Sequence, residues 1–96
     1  MGATEFSVRE KGKTAAAAFA RAVEKAEYDC GHGGYTGTIA EKPSFRMIEV
    51  PDHTTAREHV DDCFDDDDHW IQDKWGDAGC IDIKDGSYVF FGWASS

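Results

Sequence analysis

Apolar and polar residues alternate along "ATEFSVR", residues 3–9, with Phe6 and Val8 on one side, which predicts a short strand. Thr14 is placed to cap a helix over "AAAAFARAVEKAEYDC". Phe19, Ala22, Val23, Ala26 and Cys30 recur there at helical spacing and form the expected core stripe. The many alanines let such a helix lie close to a sheet. "GHGG", residues 31–34, stops it, because a Gly just past a helix end accepts the left-handed conformation. Two runs rich in β-formers, "YTGTIAEK" and "SFRMIEV", flank Lys42-Pro43 and predict a hairpin that Pro51 ends. Thr55 and Glu58 have capping-box spacing, so a second helix is expected over 56–75, with Gly76 just beyond it. The last run, "CIDIKDGSYVFFGWASS", predicts a hairpin turning at Asp85-Gly86. Its alternation puts Val89, Phe91 and Trp93 on one face and Tyr88 and Phe90 on the other.

The expected order is therefore β-α-β-β-α-β-β. Helix, glycine connection and hairpin occur twice, without residue identity between the halves. This predicts an α+β fold in two layers, an antiparallel sheet of about five strands with two helices on one face. A chain of 96 residues is expected to form a single α+β domain over 1–96.

Residues 58–70, "EHVDDCFDDDDHW", carry seven acidic side chains and no Lys or Arg. On a continuous helix over 56–75, turning about 100° per residue, Ala56, Val60, Cys63, Phe64, Trp70, Ile71 and Trp75 share one apolar arc. Glu58, Asp61, Asp62, Asp65, Asp66, Asp68 and Asp73 fill the opposite arc. Asp67 alone falls among the apolar positions. A break near 65–67, with Asp66 or Asp67 capping a second short helix, removes that conflict.

Charge sharpens the reading. Residues 1–48 hold seven basic and six acidic side chains, a net of +1; residues 49–96 hold three basic and thirteen acidic ones, a net of −10; together they give −9. A half of one sign repels DNA, RNA and anionic membranes, so no direct nucleic-acid or membrane partner is expected. It attracts basic protein surfaces. Apolar content of 41% with three Trp, three Tyr and six Phe excludes a disordered acidic tail. No apolar run approaches a membrane span, and "MGATEFSVREKGK" contains no signal-peptide core. Three cysteines, Cys30, Cys63 and Cys80, make no paired spacing, so free thiols and a cytoplasmic location are expected.

Several chemistries compete for these residues. Carboxylates at i, i+3 and i+4 stand about 5–6 Å apart, comparable with phosphates along a nucleic-acid strand. A basic groove built for DNA or RNA would meet matched charges, and a purely solubilising face normally mixes signs. The plainer alternative is a solvated helix face on a structural or regulatory domain. His59 and Cys63 have chelating spacing, and Cys30, His32 and His53 are within the same chemistry, but Cys63 lies in the apolar arc and no CxxC or HxxxH exists. No metal or other cofactor is expected. "GHGGYTGTI" follows a helix C-terminus, where the dipole repels anions, so a phosphate cradle is disfavoured. No nucleophile motif such as GxSxG is present, so no catalytic residue and no enzyme activity are expected. A small-ligand alternative, a nucleotide held at a homodimer interface, would use His32, Tyr35 and Trp93.

"AFARAVEKAEYDCGHGGYTGTIAEK", residues 18–42, resembles short uncharacterised proteins of bacteriophages and their actinobacterial hosts. "KWGDAGCIDI" and "FFGWAS" do so more loosely. Size, acidity and layout are similar to small phage inhibitors of bacterial defence, including anti-CRISPR and anti-restriction proteins. That resemblance implies a non-catalytic inhibitor whose partner is a basic surface of a host protein or nucleoprotein complex, acting in the host cytoplasm. It carries over no individual residue.

Overall fold

The computed structural model describes residues 2–30 and 37–95. Strand β1 spans Ala3–Lys11, helix α1 Ala15–Cys30, strand β2 Phe45–Met47, helix α2 Ala56–Asp65, strand β3 Ala78–Asp82 and strand β4 Ser87–Ser95. Single 3-10 turns stand at Ile39–Glu41 and Trp70–Gln72. The chain is α+β. No helix among the described residues is long and apolar enough to cross a membrane.

Local signals place these elements. The Thr14 hydroxyl accepts from the Ala17 N–H at 3.1 Å, which fixes the start of α1. Ala22 is buried, with Phe19, Val23 and Ala26 packed beside it, as the helical stripe predicts; Ala18, outside that stripe, is buried too, and the Cys30 side chain lies outside the described residues. "GHGG", with His32, and Tyr35 after it lie outside the described residues. In the β3–β4 connection the Ile83 N–H bonds the Ser87 carbonyl at 3.1 Å. The Asp85 carboxylate there accepts from both the Ser87 N–H and its hydroxyl. Lys84 and Gly86 both take positive φ, 68° and 89°. The turn is thus built from three residues, Lys84 to Gly86, where the Asp85-Gly86 signal predicted two.

The sheet order is β1-β4-β3-β2. β4 runs antiparallel to β1 and to β3, while β2 runs parallel to β3. Among the described residues the sheet therefore has four strands and is mixed, where about five antiparallel strands were expected. Among the described residues, no strand forms in the first arm of the hairpin expected around Lys42-Pro43. The described part of that arm, Gly37–Glu41, ends in a 3-10 turn capped by the Thr38 hydroxyl, which accepts from the Ala40 N–H at 3.2 Å. β2 finds its partner across α2 instead, and a connection through a helix gives parallel strands.

The two helices lie on opposite faces of the sheet, a correction to the single helical layer expected. Phe90 packs with Phe6, Ala18, Ala22, Ile39 and Cys80 under α1. Its neighbour Phe91 packs with Val60, Cys63, Ile71 and Ile81 under α2. Successive strand residues point to opposite faces. The reason is topological. The chain crosses from one sheet edge, β1, to the other, β2, through α1, and then steps back to β3 through α2. Two crossovers of the same hand that move in opposite directions across a sheet must lie on opposite faces.

Three contacts join the layers tightly. Gly79 is required by close approach, since a Cβ there would lie 2.7 Å from the Phe91 ring and 2.9 Å from Ile48. Lys42 is buried, and its ammonium donates to the carbonyls of Asp73 and Lys74 at 3.3 and 3.4 Å. Burial pushes its pKa down, while Asp73 and Asp77 act in the other direction. Glu10 is also buried, and Lys25 reaches it at 2.9 Å and Arg21 at 3.7 Å.

Two solution properties follow from this interior. The Lys25 hydrogen bond, helped by the Lys11 N–H and by the charges of Lys25 and Arg21, outweighs burial and holds the Glu10 carboxyl below its ordinary 4.5. The folded state then binds fewer protons than the unfolded one near that pH. This stability is fully present above pH 4.5 and is lost as pH falls through the lowered folded value. Glu10→Gln is expected to shallow the acid limb of stability below about pH 4.5, measured by urea titration across pH. The Cys80 thiol is wholly buried, and burial together with Asp82 pushes its pKa up to about 12. Burial, with Asp62 and Asp66, raises that of Cys63. Both are free thiols, and neither is expected to react with an alkylating agent at neutral pH before unfolding. Mass mapping of alkylated peptides along a urea series checks this.

Candidate functional site: the acidic face of the second helix

α2 starts as the capping box predicts. The Thr55 hydroxyl accepts from the Glu58 N–H at 3.1 Å and donates to the Glu58 carboxylate at 3.0 Å. Val60 and Cys63 then turn inward and are buried, with Ala56 and Phe64 packed beside them. Glu58, Asp61, Asp62 and Asp65 are exposed on the outward side. The first half of the wheel thus holds residue by residue.

The second half does not. α2 ends at Asp65, and Asp66 is its C-cap, with its N–H bonded to the Cys63 carbonyl at 3.3 Å. Asp67 consequently never meets the core, and Asp66, Asp67 and Asp68 are all exposed on a turn. The Asp66 carboxylate accepts from the Asp68 N–H at 3.1 Å, so it shapes that turn. The following 3-10 turn is capped by neither Asp66 nor Asp67. His69 does so, its Nδ1 accepting from the Ile71 N–H at 3.1 Å. Ile71 is fully buried and Trp70 partly so, but Trp75 is 53% exposed and contributes little to the core it was expected to join. Asp73 is exposed beyond the turn and accepts from the Trp75 N–H at 2.9 Å.

One residue that the sequence pattern does not mark holds this corner together. The Gln72 amide nitrogen donates to the carbonyls of Cys63, Phe64 and Asp66 at 3.2, 3.0 and 2.8 Å. These carbonyls lie at the end of α2 and on its C-cap; those of Cys63 and Asp66 also accept the N–H groups of Asp66 and His69. Its amide oxygen accepts from the Trp93 indole N–H at 2.8 Å. Gln72 therefore caps α2 from outside and ties it to β4. The Phe64 ring meets Phe91 and Trp93 edge-on at 5.7 and 6.0 Å, which fastens the same corner. A lone Gln in "HWIQDK" carries no local signal for this, because its partners are backbone atoms six to nine residues away.

The electrostatics oppose folding. α2 has no basic residue in its last turn, where the dipole is negative, and Asp62, Asp65 and Asp66 crowd that end. Like charges at i+3 and i+4 add a few tenths of a kcal/mol of destabilisation per pair. Among the described residues, no Lys or Arg lies within ion-pair distance of Asp61, Asp62, Asp65, Asp66, Asp67 or Asp68. Four of the chain's ten Lys and Arg pair elsewhere: Arg9 with Asp85, Arg46 with Asp77 at 3.3 Å, and Lys25 and Arg21 with Glu10.

The other candidate chemistries fare differently. His59 Nε2 stands 3.8 Å from Cys63 Sγ. Among the described residues, no three His, Cys, Asp or Glu side chains are grouped to hold a metal ion. Of the small-ligand set, one residue falls within the described residues. His32 and Tyr35 lie outside the described residues, and Trp93 spends its indole N–H on Gln72. No protein-family model matches the chain, and no curated protein and no solved structure matches it.

Proposed function

We propose that the protein is a non-catalytic binding protein that presents the carboxylates of α2 and of the turn after it to a basic groove built for nucleic acid. Glu58, Asp61, Asp62 and Asp65 form the helical part of the display, and Asp66, Asp68 and Asp73 extend it around the corner. The type of activity is that of a phage anti-CRISPR or anti-restriction inhibitor, which occupies the groove and so excludes DNA or RNA. One observation carries the reading: this exposed array lacks any paired cation among the described residues while costing the helix stability. A merely solvated face gains nothing from that cost. The helix beneath is held rigidly by the Thr55 cap, by Gln72 and by the Phe64 contacts, so the charges are displayed in a fixed arrangement. Pre-positioned charge of one sign speeds encounter with a complementary surface.

The test is capture from a bacterial lysate by immobilised protein, at about 0.1 M and about 1 M salt, and in the presence of competing double-stranded DNA or RNA. Nucleic-acid-handling proteins are expected in the low-salt capture, displaced by high salt and by nucleic acid. Capture insensitive to both would count against the reading.

A further inference from the structure

We propose that two copies of this chain pair through the outer edge of β1, in antiparallel register about a two-fold axis at Ser7, to make one continuous eight-stranded sheet. β1 is nine residues long and stands at the end of the sheet, and no described strand pairs with its outer side. It contains no Pro, and its pairing with β4 runs without a bulge. An unbroken edge of this length is one that proteins usually blunt or cover.

The register comes from the strand itself. The Gly12 N–H bonds the Gly86 carbonyl, and the β1–β4 register continues through Lys11↔Ser87. Even-numbered residues of β1 therefore direct their backbone groups toward β4. Ala3, Glu5, Ser7, Arg9 and Lys11 direct theirs outward; the Lys11 N–H is taken by the Glu10 carboxylate at 3.1 Å, and among the described residues no strand pairs with the others. With Ser7 opposite Ser7 of a second copy, the outward groups of Glu5, Ser7 and Arg9 all find partners. Glu5 then stands opposite Arg9 and Arg9 opposite Glu5, two opposite-charge pairs on the face of α2. Phe6 stands opposite Val8 twice on the face of α1. Shifting the register by two residues in one direction replaces Arg9 by Ser7 as the partner of Glu5. Shifting it in the other direction sets Phe6 against Glu10. Only the register centred on Ser7 matches both charge and apolar surface.

Among the described residues, the surroundings leave room for the added strand. A cleft of about 630 Å³ flanks β1 on the α2 side, lined by Ser7, Arg9, Arg57, Val60 and Phe64. A second, of about 600 Å³, flanks it on the α1 side, lined by Val8, Ala22, Ala26 and Ile39. The Arg9 guanidinium donates to Ser87 and Asp85 through Nε and Nη2, which draws it toward β4, and its remaining N–H groups are left for Glu5 of the second copy. The two-fold axis is perpendicular to the sheet, so both copies of α2 come to the same face. The pairing is independent of what the acidic face binds.

Sedimentation equilibrium of the full chain is expected to show a reversible dimer. Glu5→Arg and Arg9→Glu each place like charges opposite one another, and each is expected to weaken self-association about tenfold or more. Mixing the two variants restores opposite charges across the edge and is expected to restore dimers between them. A folding defect in either variant cannot produce that rescue. Ser7→Pro removes an outward N–H without touching β4 and is expected to leave a folded monomer. A native chain that remains monomeric into the millimolar range overturns the proposal, as does a mixture that associates no better than its components.

Discussion

Changing Asp61, Asp62, Asp65 and Asp66 together to Asn is expected to slow association with the basic target by about 10- to 1,000-fold at low salt. The same change should flatten the salt dependence of binding and raise the stability of the free protein by about 1 kcal/mol. The two effects have one origin. These side chains are exposed and carry no ion pair among the described residues, so Asn keeps their shape and removes only charge. Within the folded chain that charge is unfavourable, because it sits at the negative end of α2 beside its own kind. Outside the chain it is what a basic groove would read. Asn at 66 also keeps the carboxamide oxygen that accepts from the Asp68 N–H, so the turn survives. Surface plasmon resonance across a salt series reads the first effect, and urea unfolding reads the second. A gain in stability with unchanged binding would leave the acids as a solvated face and end the proposed function.

Gln72→Ala is expected to lower unfolding free energy by about 2–3 kcal/mol. It removes two amide N–H donors shared among the carbonyls of Cys63, Phe64 and Asp66, and leaves the Trp93 indole N–H without its acceptor. Water can reach part of this corner, which keeps the loss below the sum of four isolated bonds. Gln72→Glu separates the two halves of the role. It preserves an acceptor for Trp93 but turns a donor into an anion facing three carbonyls in an already acidic neighbourhood. At neutral pH it is expected to be at least as harmful as Ala. Toward acid pH the gap between them should narrow or reverse as the new carboxyl takes up a proton and becomes a donor. Thermal unfolding of both variants at neutral and acid pH checks this. A loss under about 0.5 kcal/mol for Ala would mean that water replaces the cap in full.

How much of this site could be read from residues alone varies along a single stretch of chain. The entry to α2 was plain, since Thr55 and Glu58 are three residues apart and act on each other. The outward placement of Glu58, Asp61, Asp62 and Asp65 followed from the helical period set by Val60 and Cys63. The exit was only hinted at, by Asp67 falling on the wrong side of the wheel. Its form depends on Gln72 returning to the carbonyls of Cys63, Phe64 and Asp66, and carbonyls look alike in every residue. Trp75 lies outside the core because the turn at 66–69 carries it away from the place a continued helix would give it.

The same division holds for the whole molecule. The sequence by itself determined the caps at Thr14 and Thr55, the inward stripe of α1, the hairpin before β4, and the alternation that sends Phe90 and Phe91 to different faces. Each of these is set by side chains within a few residues of one another, where spacing and hydrogen-bonding chemistry act directly. Only the tertiary structure decided that β2 pairs in parallel with β3, that α1 and α2 cover opposite faces, and that the nine-residue edge of β1 ends the sheet. Those outcomes depend on which distant strands meet and on the direction in which each crossover travels, and a periodic pattern that buries one face is satisfied equally well by several such arrangements.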